Sequence, residues 1–263
     1  MDRFPYAPLT EFDRAFLASG ADILKHTLPI FRKVDDNYIL EGSAVLAFIE
    51  NHCVLVTAGH VLTHFSSLAV NANGKMWFLI YHFLYFIKEQ PNDMDVGMVV
   101  LDEDLALMLV NEIIPVTSAN IVLDHVPEEI IRYLVVGFPE KLSKSSKENK
   151  IVKISPAKML LEACNEKIYS YYKLKREAHV ALLYAGSGNS LLTGKRISTL
   201  DEPYGMSGCG IWLMSAKKVN NDIQAYYSLI GIITDIKKGK YHCIFGYGIK
   251  FLINHLQKFL ETK

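Results

Sequence analysis

The chain lacks an excess of either charge. Lys and Arg number 28, Asp and Glu number 28, and the formal net charge is zero. Nucleic acids and anionic membranes are met by basic patches or stripes, so neither is expected as a partner. Cysteine is scarce as well. Four in 263 residues do not make a disulfide framework, and the expectation is four free thiols in a reducing compartment. The longest apolar run, residues 76–87, is shorter than the roughly 20 residues a membrane-spanning helix needs. The opening Met1-Asp2-Arg3-Phe4-Pro5 has no basic segment followed by an apolar core, so a cytoplasmic protein is expected. No internal repeat is visible.

Half of the residues are hydrophobic, too many for a disordered chain. The length suits one large domain or two small ones that share a core. Apolar stretches are short, rich in Val, Ile, Tyr and Phe, and separated by Gly, Asn, Asp, Pro and Lys. Strands are expected at 28–33, 38–49, 52–57, 75–88, 96–102, 131–137, 150–160, 179–184, 208–214, 225–236 and 242–248. Many short strands at even spacing predict a β-barrel or sandwich. Helical spacing is confined to 9–28, with Thr10 as N-cap, and to 249–260, where Phe251, Leu252, His255, Leu256 and Phe259 share a face. The stretch 77–87 is apolar on both period-2 faces, which predicts a strand buried on both sides. Residues 141–150 and 187–196 read as polar loops. The second imitates a phosphate-binding loop, but five residues separate Gly188 from Gly194 where four are needed, and Arg196 stands where Ser or Thr would hold Mg²⁺.

Three segments carry chemistry. In Val54-Leu-Val-Thr-Ala-Gly-His60 an apolar strand ends in a tight turn that presents an imidazole. In Asp95-Val-Gly-Met-Val-Val-Leu101 a carboxylate stands at the mouth of an apolar strand, with Asp93 as its rival two residues earlier. In Tyr204-Gly-Met-Ser207-Gly-Cys-Gly-Ile-Trp212 small residues crowd one serine ahead of a third strand, and glycine there lets the backbone aim N–H groups at one point. Taken singly, each has a plain structural reading: an ordinary histidine, turn chemistry, a Gly-rich β-turn. His64 follows His60 at a spacing that binds zinc on a helix, but Val61 stands where that motif needs Glu and no third ligand is evident.

In chain order the three segments run His, Asp, Ser, which is the order of the chymotrypsin type. The sequence resembles the trypsin-like, chymotrypsin-fold serine peptidases, and most nearly their bacterial stand-alone intracellular members. The resemblance rests on Gly42-Ser-Ala-Val-Leu-Ala-Phe, Thr57-Ala-Gly-His60, Asp95-Val-Gly-Met, Val136-Gly-Phe-Pro139, Gly205-Met-Ser207-Gly-Cys-Gly and Gly231-Ile-Ile-Thr234, and spans roughly 28–260. It implies an all-β chain: two antiparallel six-stranded barrels, a C-terminal helix and a short N-terminal helical extension. The divisions would fall at 1–27 for the extension, 28–120 for the barrel carrying His and Asp, and 121–263 for the barrel carrying Ser. It implies a serine endopeptidase in which Ser207 attacks, His60 relays the proton and Asp95 orients the imidazole. The N–H groups of Gly205 and Ser207 would form the oxyanion hole. Asp201, Thr234, Asp235 and Ile236 fall at its substrate pocket, although Asp201 reads equally as a loop residue, and Asp235-Ile236 stands where the family usually has Trp-Gly, with bulky residues there expected to narrow the pocket. Cys209 replaces a glycine of the pattern, and the cysteines that secreted relatives place near these motifs are missing. No cofactor and no metal are implied. The partners implied are a protein or peptide substrate and, since unregulated proteolysis is toxic, narrow or triggered specificity under a regulatory protein. The alternative is a catalytically inactive trypsin-fold binding or regulatory module.

Overall fold

The structure, a computed structural model, describes residues 9–79, 81–87, 95–128, 131–145, 152–184, 188–190, 196–197, 204–220 and 222–261. Two antiparallel sheets dominate it. The first is built from β1 (Thr27–Val34), β2 (Asn37–Ile49), β3 (His52–Ala58), β4 (Leu68–Ala72), β5 (Lys75–Phe78), β6 (Tyr81–Ile87) and β7 (Val96–Leu101). Its order is β5-β4-β1-β2-β3-β7-β6. The second sheet begins with β8 (Arg132–Gly137). A small hairpin follows, β9 (Lys144–Ser145) with β10 (Val152–Lys153). The sheet then continues with β11 (Ala157–Glu162), β12 (His179–Leu183), β13 (Gly188–Ser190), β14 (Arg196–Ile197), β15 (Gly210–Val219), β16 (Asp222–Lys238) and β17 (His242–Gly248). Its order is β12-β17-β16-β15-β8-β11-β13-β14. Each sheet has six principal strands, extended by the short pieces β5, β13 and β14.

Strands β3 and β7 and the Ser43–Ala47 stretch of β2 are buried continuously rather than alternately, because both of their faces are covered. One face points into the first sheet's own core, where Leu46, Leu55, Val99 and Leu62 pack together. The other meets the second sheet. There Val45, Val54, Val56 and Met98 pack with Leu134, Val136, Trp212 and Ile232 in one cluster. A separate cluster around Val135, Met159, Ile211 and Ile244 fills the second sheet's interior.

Among the described residues five α-helices complete the fold: α1 (Glu11–Ala18), α2 (Gly20–Leu24), α3 (Glu103–Val110), α4 (Glu166–Tyr172) and α5 (Ile249–Glu261). Thr10 caps α1 as expected, in a reciprocal box with Asp13. The N-terminal helices are no loose appendage. Phe16, Leu17 and Ile23 are buried in the cluster between the sheets, Arg132 pairs with Asp13 at 3.3 Å, and Lys158 Nζ donates to Leu17 O at 2.7 Å. The apolar face of α5 adds Leu252 and Leu256 to the same cluster.

The long strand expected at 75–88 is two strands, β5 and β6, and it is not covered on both sides: Phe78 and Tyr81 are exposed. The two strands lie at opposite edges of the sheet. The strand expected at 150–160 is interrupted at 154–156, since Pro156 has no N–H for the ladder. Helices α3 and α4 and strand β4 were not foreseen. Asp102 and Asn165 cap the two helices through their side chains. Strand β4 is joined to β5 by Asn73-Gly74, both at positive φ, an Asn-Gly hairpin turn. Loop 141–150 contributes β9, and its residues 146–150 lie outside the described residues, as do 187 and 191–195 of the other loop. Among the described residues no helix is long and apolar enough to cross a membrane.

Candidate active site

The β3–β7 ladder brings the first two site residues together. Its register pairs Thr57 with Gly97 and Ala58 with Val96. Continued one residue further, it sets Gly59 against Asp95, and Gly59 N–H donates to Asp95 O at 2.9 Å. The chain then turns through a single 3-10 turn, Gly59–Leu62, held down by the buried Val61 and Leu62. That turn presents His60 to Asp95 twice. The main-chain N–H of His60 donates to Asp95 Oδ1 at 2.7 Å, and Nδ1 bonds Oδ2. A Cβ on Gly59 would meet Asp95 Oδ1 at 2.8 Å, so glycine is what permits this approach.

The bond to Asp95 raises the His60 pKa above the ordinary imidazole value, with smaller contributions from the charges of Asp235 and Glu41. The imidazole side chain is 49% exposed, so it is oriented by Asp95 but open to a substrate. Among the described residues Nε2 has no hydrogen-bond partner. The rival Asp93 lies outside the described residues. His64 is exposed on the turn that follows, away from any cluster of metal-binding side chains among the described residues.

The third segment forms a tight loop just before β15. Gly205 and Gly208 have φ of +87° and +90°, a region closed to most side chains. Four consecutive carbonyls of this loop are each held. Tyr204 O accepts from Glu140 N at 2.7 Å, Gly205 O from Ser43 Oγ at 2.7 Å, Met206 O from Cys209 N at 3.1 Å, and Ser207 O from Ser43 N at 2.8 Å. A peptide unit is planar and trans, so each held carbonyl turns the N–H of its own unit to the opposite side. The N–H groups of Gly205 and Ser207, which belong to the Tyr204 and Met206 units, donate to no main-chain acceptor among the described residues. Two oriented donors of this kind are what an oxyanion hole requires.

The loop also pairs with β16. Gly208 N–H donates to Ile233 O at 2.7 Å, and Ile233 N–H to Cys209 O at 2.9 Å. Thr234, Asp235 and Ile236 therefore continue directly from the residue bonded to the Ser207 loop. Thr234 is buried, whereas Asp235 and Ile236 are half-buried. The Asp235 carboxylate is already engaged, accepting from Ile236 N at 2.6 Å and pairing with Lys237. Asp201 lies outside the described residues. Cys209 is fully buried in the second sheet's interior, where desolvation pushes its thiol pKa up and leaves it a packing residue. None of the four cysteines is in a disulfide. Ser43 stands out in the sequence only as part of a strand motif, yet it contacts the Ser207 loop at two points.

Neither a protein-family model nor a curated protein matches the sequence. Solved structures do match the fold. Protease Anisep from Arthrobacter nicotinovorans is 11% identical, with 84% of this chain and 89% of that chain covered and a TM-score of 0.48. An inactivated protease paralogue of the scabies mite is also 11% identical, with coverage of 90% and 93% and a TM-score of 0.50. A thermostable serine protease from an extremophilic microorganism is 13% identical, with coverage of 86% and 91% and a TM-score of 0.48. With the two sheets described above, the likeness to the mite protein shows that the chain has the chymotrypsin fold of trypsin-like serine proteases.

Proposed function

We propose that this chain is a serine endopeptidase in which His60, Asp95 and Ser207 act as one unit. The observation that carries the proposal is the pair of hydrogen bonds from His60 to Asp95, combined with a serine loop in which the carbonyls of residues 204–207 are each held and the N–H groups of Gly205 and Ser207 have no main-chain acceptor among the described residues. Ser207 Oγ attacks the peptide carbonyl, and His60 Nε2 takes its proton and returns it to the leaving amine. Asp95 holds the tautomer that makes Nε2 the acceptor and stabilises the imidazolium. A serine hydroxyl is a weak nucleophile without such a base. The N–H groups of Gly205 and Ser207 receive the oxyanion, at about 10²–10³ in rate for each donor. The reaction needs no metal or cofactor.

Thr234, Asp235 and Ile236 line the substrate cleft in this reading. Bulky side chains at the last two positions, one of them held in an ion pair, narrow the range of substrates. In this reading the substrate is a protein or peptide, the chain acts in the cytoplasm, and a regulatory protein restrains it. An inactive module of the same fold predicts neither acylation nor cleavage. The test is a peptide-library digest read by mass spectrometry. The native chain is expected to produce a restricted set of cuts, and Ser207→Ala none, with the thermal midpoint unchanged. Equal cutting by the two chains would refute the assignment of Ser207, and no cutting by either would favour the inactive module.

A further inference from the structure

Among the described residues, the hydrogen bonds from the first sheet to the nucleophile loop all come from Ser43 on β2. It is fully buried, and all of its polar groups are used. Its N–H donates to Ser207 O at 2.8 Å, and its carbonyl accepts from Thr57 Oγ1 at 2.6 Å. Its hydroxyl donates to Gly205 O at 2.7 Å and accepts from Phe138 N at 3.2 Å. Ser43 thus grips both ends of Gly205-Met206-Ser207 and links them, through Thr57, to the strand that leads to His60.

Of the four bonds that fix the loop's carbonyls, the one to Gly205 O is made by a side chain; the other three are main chain to main chain. It also bears on the weakest point. Gly205 has no Cβ and has positive φ, so its flanking peptide planes rotate more freely than those of Tyr204, Met206 and Ser207 beside it. If the Gly205–Met206 plane turns, the N–H groups on either side of it lose their common aim. We propose that the Ser43 hydroxyl is a positioning residue for catalysis: it locks the Gly205–Met206 peptide so that the N–H groups of Gly205 and Ser207 face one oxyanion. This rests on the peptidase reading above and adds to it the device that keeps the oxyanion hole assembled before substrate arrives. Ser43 touches no reacting atom.

The test compares Ser43→Ala and Ser43→Cys with the native chain, using hydrolysis of an activated ester at a temperature where circular dichroism shows each chain folded. Misplacing a donor costs less than deleting it, so Ser43→Ala is expected to lower kcat by about 10- to 100-fold with KM within about twofold. The acid limb of the pH profile, set by His60, stays in place. Ser43→Cys keeps the shape with a weaker donor and falls between. Amide exchange in the 204–209 segment rises in Ser43→Ala while that of β3 and β7 does not. A kcat equal to the native value in a folded Ser43→Ala chain would overturn the proposal. If Ser43→Ala does not fold, a native kcat in Ser43→Cys would overturn it and a reduced kcat at constant KM would support it. A native chain that hydrolyses nothing would overturn the peptidase reading, a result distinct from an active native chain matched by its Ser43 variants.

Discussion

Replacing Gly208 by alanine strikes the junction of the two sheets while leaving the side chains of His60, Asp95 and Ser207 in place. At φ +90° an alanine loses about 1–2 kcal/mol to backbone strain alone. The new Cβ would also stand 1.9 Å from Ser43 O and 2.1 Å from Thr57 Oγ1, far inside the 3.4 Å at which ordinary contact begins. Neither neighbour is the loose end of a long side chain, so the loop itself must move. Three buried bonds lie in its path: Thr57 to Ser43 O, Ser43 N to Ser207 O, and Gly208 N to Ile233 O. At about 1 kcal/mol net for each, the total loss is about 4–5 kcal/mol, or about 8–20 °C in thermal midpoint for a chain of this size. Gly74 supplies the control. Its φ is +84°, almost the same, but a Cβ there meets nothing within 4 Å. Gly74→Ala should therefore lose only the strain, about 1–2 kcal/mol and a few degrees. Scanning calorimetry of both variants is the assay. Equal midpoint losses would refute the reasoning, because the packing of Gly208 between the sheets would then contribute nothing.

Asp95→Asn should lower kcat/KM by about 10⁴. Since Asp95 raises the His60 pKa and the base must be neutral, the acid limb of the residual activity should move to lower pH; an unmoved limb would contradict the assigned pairing. His26 is buried between Ile114 O, Tyr227 and the face of Trp212, near the charges of Asp22 and Lys25, and burial lowers its pKa, as it does for His125 and His179. Below a pH of about 6.5 the unfolded chain takes up protons these groups refuse, so the urea midpoint should fall from pH 7 to 5, less steeply in His26→Asn. An equal slope would remove His26 from the account. A chain beginning at Lys25 loses the buried Phe16, Leu17 and Ile23, each contributing about 1.5–3 kcal/mol, against a total stability of about 5–15 kcal/mol. It should fail to fold or melt more than about 10 °C lower, and a native midpoint would show the N-terminal helices to be dispensable.

Much of this was legible because the informative residues are local. Strand 242–248 follows from a short apolar run, helix 249–261 from helical periodicity, and Thr10 from a cap with Asp13 three residues on. His60 and Asp95 could be named from motif and order, but the reason they meet is the β3–β7 register, a non-local fact. The edge position of β5 and β6 was hidden for the same reason: apolar residues on both faces record what a strand could bury, not what packs against it. Helices α3 and α4 are short and announced mainly by their caps at Asp102 and Asn165, a signal easily read as strand-end turns. The hydroxyl of Ser43 could not be connected to Gly205 from sequence at all, since 162 positions separate them.

The most direct test of the central claim is covalent. The folded chain is treated with a fluorophosphonate, and the adduct is located by peptide mass spectrometry. The account predicts one adduct, on Ser207, absent after unfolding and formed far more slowly in His60→Ala. A folded native chain that stays unlabelled, or a His60→Ala chain labelled at the native rate, would contradict it.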